Sequence, residues 1–212
     1  MSGKYIDITV PLHPNLPVWP GDRKIEITKS ATMEKDGANV SNISMSLHGG
    51  THIDGPSHFV EGLGHTIDIP LDQLIGECQV IEIFGTNVIS VDDLKAAGID
   101  LDIKKILFKT DNSALWKSFS HPFYEDFCAL DASAAQWLVD HQFEFVGIDY
   151  HSIQKYNDPP DVHLILLREK VVILETINLM EVTAGKYEIW CLPIKIEAVD
   201  GSPARVLLKA ID

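Results

Sequence analysis

The residues most able to do chemistry in this sequence cluster in one stretch, residues 47–59. Three histidines and an aspartate occur there: His48, His52, Asp54 and His58. Imidazole nitrogens and carboxylates are the ligands that divalent transition metals prefer in proteins. A structural turn that happens to contain histidines is the alternative, but it does not explain why four potential ligands occur so close together. The stretch therefore predicts a metal site.

The spacing of these residues favours extended or looped backbone. His48 and His52 lie four residues apart, as on one face of a helix, but Gly49 and Gly50 between them make a helix improbable. On an extended chain, side chains two residues apart, such as those of His52 and Asp54, point to the same side. We therefore predict a metal-binding loop that follows a strand.

The composition is that of a soluble globular domain. The chain has 212 residues, of which 45% are hydrophobic and 23% charged, and this length suits a single domain. Its formal net charge of −14 argues against nucleic acid or an anionic membrane as an electrostatic partner. The three cysteines are widely spaced, and neither a signal-peptide pattern nor an apolar run of the ~20 residues that span a bilayer is present. These features predict a cytoplasmic protein without disulfides.

A β-rich first third is followed by alternating helices and strands, which predicts an α/β fold with a mixed sheet. Alternating or β-branched apolar runs predict strands at residues 4–12, 24–28, 39–47, 78–84, 105–110, 143–148, 171–174, 187–196 and 205–210. Residues 68–74 are predicted to form a short turn or helix. Capping patterns predict helices at residues 90–98, 131–140 and 161–170, with Asp161 as the N-cap of the last. Residues 13–22, rich in proline, and the polar residues 33–38 are expected to be irregular.

Three residues outside this stretch stand where a pocket or a ligand set could form. Trp19, in the proline-rich connection, could line a pocket or equally cover the edge of the core. Glu175 closes a predicted core strand, and polar residues at strand ends carry chemistry in many α/β proteins. His163 and Glu175 both adjoin apolar runs, so each needs a polar partner. A metal ion would satisfy both residues. The alternative is a hydrogen bond from His163 to the backbone and a position of Glu175 at the edge of a sheet.

The run from His48 to Phe59 resembles the signature of the cyclase-like metal hydrolases, a family that includes bacterial kynurenine formamidase and isatin hydrolase. The resemblance extends to residues 17–22 and 147–149 and to His163 with residues 174–176. It implies a swivelling β/β/α fold, a homodimer or homotetramer, and one or two divalent metals per chain, zinc first and manganese as the alternative. Gly55 stands where many relatives have alanine, and we expect no functional consequence of that difference.

The resemblance also implies how the ligands divide between two metals. By matching positions, the first metal would be held by His48, His52 and Asp54. Asp54 would bridge to a second metal held by His163 and Glu175. Some relatives lack the second-site histidine and use one manganese, so the presence of both His163 and Glu175 favours the two-metal arrangement.

By the same resemblance, His58 is the acid–base residue and Trp19 faces the substrate. An imidazole with a pKa of about 6.5 suits proton transfer at neutral pH, although His58 as a further ligand or as a residue that orients one is the alternative. We therefore expect a metal-dependent amidohydrolase in which metal-bound hydroxide attacks a small aryl formamide of the N-formylkynurenine type. Lactam ring opening of the isatin type and a non-catalytic metal-stabilised binding module are the alternatives. The roles of His65, Asp149 and His151 stay open.

Overall fold

The computed structural model describes residues 5–211, which form twelve strands, five α-helices and three 3₁₀ helices. The strands are β1 (Tyr5–Asp7), β2 (Glu26–Ala31), β3 (Val40–Ser44), β4 (His52–Asp54), β5 (Ile75–Glu82), β6 (Val88–Ile89), β7 (Lys105–Lys109), β8 (Ala129–Leu130), β9 (Phe145–Ile148), β10 (Val172–Glu175), β11 (Gly185–Pro193) and β12 (Gly201–Ala210). The α-helices are α1 (Met33–Asp36), α2 (Leu71–Leu74), α3 (Val91–Ala96), α4 (Ala132–Asp140) and α5 (Asp161–Arg168). The 3₁₀ helices cover Pro56–His58, Thr66–Asp68 and Asp111–Lys117. Within the described range, no helix is long and apolar enough to cross a membrane.

Seven of the strands close into a ring. β5, β7, β9 and β10 are parallel neighbours, and β4, β12 and β11 complete the ring through antiparallel pairs. The ten-residue β12 makes closure possible, because residues 201–203 pair with β4 while residues 204–210 pair with β11. This barrel-like mixed sheet confirms the predicted single-domain α/β class.

Two apolar clusters pack against the two faces of this ring. One cluster receives side chains from all seven ring strands, Leu107 and Phe145 among them, and therefore fills the barrel interior. The other lies outside, where Ile106 and Phe108 of β7 pack with side chains of α4 and α5. Successive residues of β7 thus alternate between the two cores, as the pleat of a strand requires.

The same alternation decides which side chains of β4 and β10 reach the outer face. Ile53 and Leu174 belong to the interior cluster. Their neighbours His52, Asp54 and Glu175 therefore point outward. In the antiparallel register, His52 lies opposite Glu175, so the two strands present these side chains together. Barrel packing thus places three of the predicted ligands on one surface.

The predicted starts of two helices are confirmed by their caps. The Ser90 side chain accepts a hydrogen bond from Asp93 N before α3, and the Asp131 side chain accepts one from Ala134 N before α4. At α5, however, the predicted cap is wrong. Pro160 occupies the N-cap position and Asp161 is the first helical residue, where a carboxylate still interacts favourably with the positive end of the helix.

Several predicted elements near the N-terminus differ from the structure. Within the described residues, the first strand covers only Tyr5–Asp7 instead of residues 4–12, and Lys4 lies outside the described range. Residues 33–36 form the short helix α1 instead of an irregular segment. The third predicted strand, residues 39–47, ends at Ser44, and residues 52–54 are a strand and not a loop, because pairing with β10 and β12 on both sides extends them.

Replacing Leu107 by Ala should destabilise the protein by about 2–5 kcal/mol, because it leaves a cavity in the barrel interior, where this side chain is 0% exposed. Leu192→Ala on β11 is the matched control: with that side chain 48% exposed, we expect a change within about 0.5 kcal/mol. Urea unfolding followed by circular dichroism measures both. Equal losses would contradict the assignment of Leu107 to a closed core.

Candidate metal centre

β4 and β10 bring a histidine and two carboxylates together in the protein interior. His52, Asp54 and Glu175 are all less than 5% exposed. His52 Nε2 lies 3.4 Å from Asp54 Oδ1 and 3.5 Å from Glu175 Oε2. On the other side of its ring, His52 Nδ1 lies 2.8 Å from the carbonyl oxygen of Gly50. If Nδ1–H donates to that oxygen, the lone pair of Nε2 is directed at the carboxylates.

Helix α5 adds His163 to the same group. His163 Nε2 lies 3.6 Å from Asp54 Oδ2 and 3.4 Å from Glu175 Oε1. Gln154 fixes the other side of this ring, since its Oε1 lies 3.3 Å from His163 Nδ1 and also accepts hydrogen bonds from the first turn of α5. Glu175 Oε1 in turn accepts a hydrogen bond from Ile153 N. The side chains of His163 and Glu175 are therefore oriented by Gln154 and by the Ile153 backbone.

His48 reaches the group from the turn that precedes β4. Its Nδ1 lies 2.9 Å from Asp54 Oδ1, and its Nε2 lies 3.1 Å from Asp200 Oδ2. The ring rests against Gly201, the first residue of β12. A Cβ atom at position 201 would lie 2.5 Å from His48 Cε1, so only glycine allows the ring to sit there.

The side chains fit the metal that the sequence predicts. Two groups of potential ligands have donor atoms within 4.8 Å of one another, and both contain Asp54: one adds His48 and His52, the other His163 and Glu175. His52 Nε2 and Asp54 Oδ2 are buried without a hydrogen-bond partner, which costs free energy unless a cation binds there. Imidazole with carboxylate suits zinc and manganese alike.

The electrostatics of the site follow from burial and from the Asp54 charge. Burial raises the pKa of Asp54, but hydrogen bonds and charge interactions with the neighbouring histidines outweigh it and hold the pKa well below its usual range. Burial lowers the pKa of His48, but Asp54 and Asp200 outweigh this and raise it to about 9. Burial lowers the pKa of His58 despite the attraction of Asp54. His58 is therefore largely uncharged at neutral pH, as a proton acceptor must be.

His58 lies beside the buried ligands. Its ring stacks on that of His48 with the centroids 4.0 Å apart, and its Nδ1 lies 3.6 Å from Asp200 Oδ2. It belongs to neither of the two groups that contain Asp54, but it forms a third possible group with His48 and Asp200. A role as an acid–base residue and a role as a further ligand are both compatible with this position.

Trp19 lines the cavity onto which these residues open. The cavity has a volume of about 370 Å³, and its wall also includes His48, His58, His163 and Glu175. Trp19 packs against Tyr156 and Phe123, with ring centroids 5.1 Å and 5.4 Å apart. The proline-rich connection therefore supplies an aromatic wall of the cavity that holds the ligands.

The three residues whose roles the sequence left open differ in location. Asp149 is fully buried and accepts hydrogen bonds from Thr110 and Ser113, so it anchors the start of the 3₁₀ helix at residues 111–117 and lies outside the cavity lining. His65 lies 3.0 Å from Ser57 Oγ through its Nδ1. His151 lines the cavity, and burial lowers its pKa to about 3, which keeps it neutral.

Sequence reasoning missed Asp200 and Gln154. Asp200 lies 152 positions from His48 along the chain, in a segment without a recognisable motif. Its one signal is the Asp–Gly pair at the start of β12, a pair that is typical of a turn. Gln154 follows the resemblance at residues 147–149 by a few positions but carries no signal of its own. Both residues line the cavity and contact histidines that the sequence did identify.

Comparisons with known proteins identify relatives of this chain in sequence and in fold. The model of the putative cyclase family matches residues 6–155. Kynurenine formamidase of Bacillus cereus is 29% identical over 212 residues, which covers 99% of both chains. A solved structure described as a potential metal-dependent hydrolase with cyclase activity superposes with a TM-score of 0.84 at 32% identity, over 99% of this chain and 98% of the other. Isatin hydrolase A of Labrenzia aggregata shares the fold at 20% identity, with a TM-score of 0.81 and coverage of 99% and 94%.

Replacing Asp54 by Asn should lower the affinity for zinc(II) by at least about 100-fold, because both ligand groups lose their shared carboxylate. Replacing a residue that only orients a ligand lowers metal affinity by about 10–100-fold, so loss of a ligand itself should cost at least as much. Competition of the metal-free protein with a chromophoric chelator measures the affinity. Asp22→Asn is the matched control, because Asp22 lines the cavity but belongs to neither group. Equal affinities for the two variants would show that Asp54 is not a ligand.

Proposed function

Because this chain belongs to the putative cyclase family, whose model matches residues 6–155, we propose that it is a metal-dependent amidohydrolase for small aryl formamides of the N-formylkynurenine type. The observation that supports this most directly is the pair of ligand groups that share Asp54, whose other members, His48, His52, His163 and Glu175, line the cavity. The similarity to kynurenine formamidase of Bacillus cereus along the whole chain supports the substrate class.

The cavity suits one small aromatic molecule. Its volume of about 370 Å³ lies in the range of small-ligand sites. Trp19 and Tyr156 contribute aromatic rings to its lining, and the histidines and carboxylates contribute polar groups. An aryl formamide has the same division, with a ring at one end and a polar carbonyl at the other, so stacking at Trp19 would direct the carbonyl toward the ligands.

The proposed reaction is addition of water to the formamide carbonyl followed by cleavage of the C–N bond. A divalent cation held by His48, His52 and Asp54, with a second at His163 and Glu175, would lower the pKa of a water molecule and polarise the carbonyl. We assign zinc first, with manganese as the alternative.

His58 serves in this proposal as the acid–base residue. It takes the proton of the attacking water and passes it to the leaving nitrogen, so that formate and a free aryl amine result. Burial lowers the pKa of its imidazole, which keeps the ring neutral at physiological pH and able to accept this proton. Its ring stacks on that of His48, so it lies beside the residues that would hold the cation.

Ring opening of a lactam of the isatin type is the second candidate, supported by the fold shared with isatin hydrolase A. The same residues would hydrolyse the amide bond of the ring, and both products would stay in one molecule. A non-catalytic metal-binding module is the third. Turnover assays distinguish the three candidates. Hydrolysis of formanilides but not of lactams supports the first, hydrolysis of lactams but not of formanilides supports the second, and hydrolysis of neither supports the third.

We also propose that the protein works as a homodimer or homotetramer. β2 and β3 form a two-stranded ribbon that pairs with no other strand among residues 5–211. Ile27 and Ile43 lie opposite each other on this ribbon and are 47% and 53% exposed. A lone ribbon of this kind is marginally stable in water, and a second copy would cover its apolar pair.

The three buried free thiols support a reducing, cytoplasmic location.

Purified protein supplied with zinc or manganese should hydrolyse N-formylkynurenine with kcat/KM of about 10⁴ M⁻¹s⁻¹ or more, which is typical of an enzyme acting on its own substrate. Chelation should abolish the reaction and added metal should restore it. Turnover is followed by the absorbance of the amine product. Absence of turnover with metal bound would refute this substrate, and isatin is then the next compound to test.

Replacing His58 by Ala should lower kcat by at least about 100-fold, the usual contribution of general acid–base catalysis, while the bound metal stays unchanged. Steady-state kinetics and elemental analysis of the same sample measure both quantities. His13→Ala, at an exposed histidine outside the cavity lining, serves as the control. Loss of metal in the His58 variant would make this residue a ligand instead.

Replacing Ile43 by Glu should shift the molar mass measured by light scattering toward that of a monomer, because a charge would enter the proposed contact. Ile194→Glu, at a residue that is 58% exposed and lies outside the ribbon, should leave the mass unchanged. A wild-type protein that is already monomeric would contradict this proposal.

A further inference from the structure

Asp200 contacts two histidines of the candidate site with one oxygen atom. Its Oδ2 lies 3.1 Å from His48 Nε2 and 3.6 Å from His58 Nδ1. Among residues 5–211, no other carboxylate lies within 4 Å of a His58 ring nitrogen. One carboxylate therefore connects a metal ligand with the acid–base residue of the function proposed above.

Backbone hydrogen bonds hold Asp200 and its neighbour Val199 in place. Gly55 N donates a hydrogen bond to Asp200 O at 2.6 Å, and Thr66 N donates one to Val199 O at 3.2 Å. These bonds tie the segment before β12 to the segment that follows β4. Asp200 thus occupies a fixed position relative to the ligands, although its side chain is 51% exposed.

Two glycines make this close approach possible. A Cβ atom at Gly55 would lie 3.1 Å from Asp200 O and 2.9 Å from Thr66 N, and one at Gly201 would lie 2.5 Å from His48 Cε1. An alanine at position 55 would need a small shift of the Thr66 backbone, whereas an alanine at position 201 would displace the His48 ring.

We propose that Asp200 is a positioning residue that orients the rings of His48 and His58, an inference that rests on the proposed function. When His48 Nε2–H donates to Asp200, the lone pair of Nδ1 is directed at Asp54 and toward the cation that they would share. Carboxylates orient metal-bound histidines in this way in many metalloproteins. His58 Nδ1 lies 3.6 Å from Asp200 Oδ2, which is too long for a hydrogen bond, but the carboxylate charge favours a proton on Nδ1. Nε2 is then left to exchange the proton with the substrate.

Asp200 differs from the proposed ligands in its surroundings. Asp54 and Glu175 are buried and surrounded by histidine nitrogens, whereas half of the Asp200 side chain is exposed to solvent. Its contact with His48 is on Nε2, the nitrogen that faces away from Asp54. Asp200 therefore acts on the metal through His48. Direct ligation by Asp200 is the competing arrangement, in which Asp200→Ala would remove one bound ion or lower the zinc affinity as strongly as Asp54→Asn.

The test compares Asp200→Ala and Asp200→Asn with Glu197→Gln, which removes one charge from an exposed residue of the same segment. Zinc(II) affinity and the number of ions bound at saturation are measured by chelator competition and elemental analysis. Asp200→Ala should lower the affinity by about 10–100-fold without changing that number. Asp200→Asn should recover most of the affinity, since its amide oxygen still accepts from His48 Nε2–H. Glu197→Gln should match wild type.

The second readout is kinetic and is taken at saturating zinc. Asp200→Ala should then lower kcat by at least 10-fold with little change in KM, because His58 is misoriented while the aromatic wall is intact. An affinity and kcat equal to those of Glu197→Gln would overturn the proposal, and so would the loss of one bound ion, which would make Asp200 a ligand. Should the wild-type enzyme hydrolyse neither formamides nor lactams, the proposed function fails, but the zinc measurements still decide the role of Asp200 toward His48.

Discussion

A carboxylate removed from water must be compensated by nearby positive charge or hydrogen-bond donors, and Asp54 imposes this requirement on the whole site. Its side chain is 1% exposed, and the nitrogens of three histidines lie 2.9–3.6 Å from its two oxygens. These histidines come from different places: His48 from a turn, His52 from β4 and His163 from α5. Removal of one partner from such a buried group is costly. The carboxylate therefore makes the relative positions of these elements interdependent.

The barrel explains how a carboxylate on a three-residue strand comes to be buried. β4 pairs with β10 on one edge and with β12 on the other, so its backbone groups are satisfied without solvent. Ile53 fills the interior while its two neighbours face α5. Gly201 lies opposite Asp54 in the β12 register and leaves the space that the His48 ring occupies. Closure of the barrel thus builds the floor of the site as well as the core.

Sequence reasoning succeeded where the determinants are local. The four residues from His48 to His58 are close in the chain, and the two glycines correctly exclude a helix there. It was wrong that His52 and Asp54 lie in a loop, because a three-residue strand is defined by its partners and not by its own residues. Asp200 was out of reach for the same reason. Its contact with His48 depends on the pairing of β12 with β4, which no local pattern encodes.

The aromatic rings and the metal-ligand candidates of the cavity come from different parts of the fold. Trp19 and Tyr156, which form the aromatic wall, come from connections outside the strands and α-helices, whereas four of the five proposed ligands lie on β4, β10 and α5. Connections tolerate substitution far better than packed strands do. In the proposed function, a change in this wall would alter the ring that the cavity accepts, while the candidate ligands around Asp54 would stay in place. The aromatic wall, more than the ligands, would then decide which amide is hydrolysed.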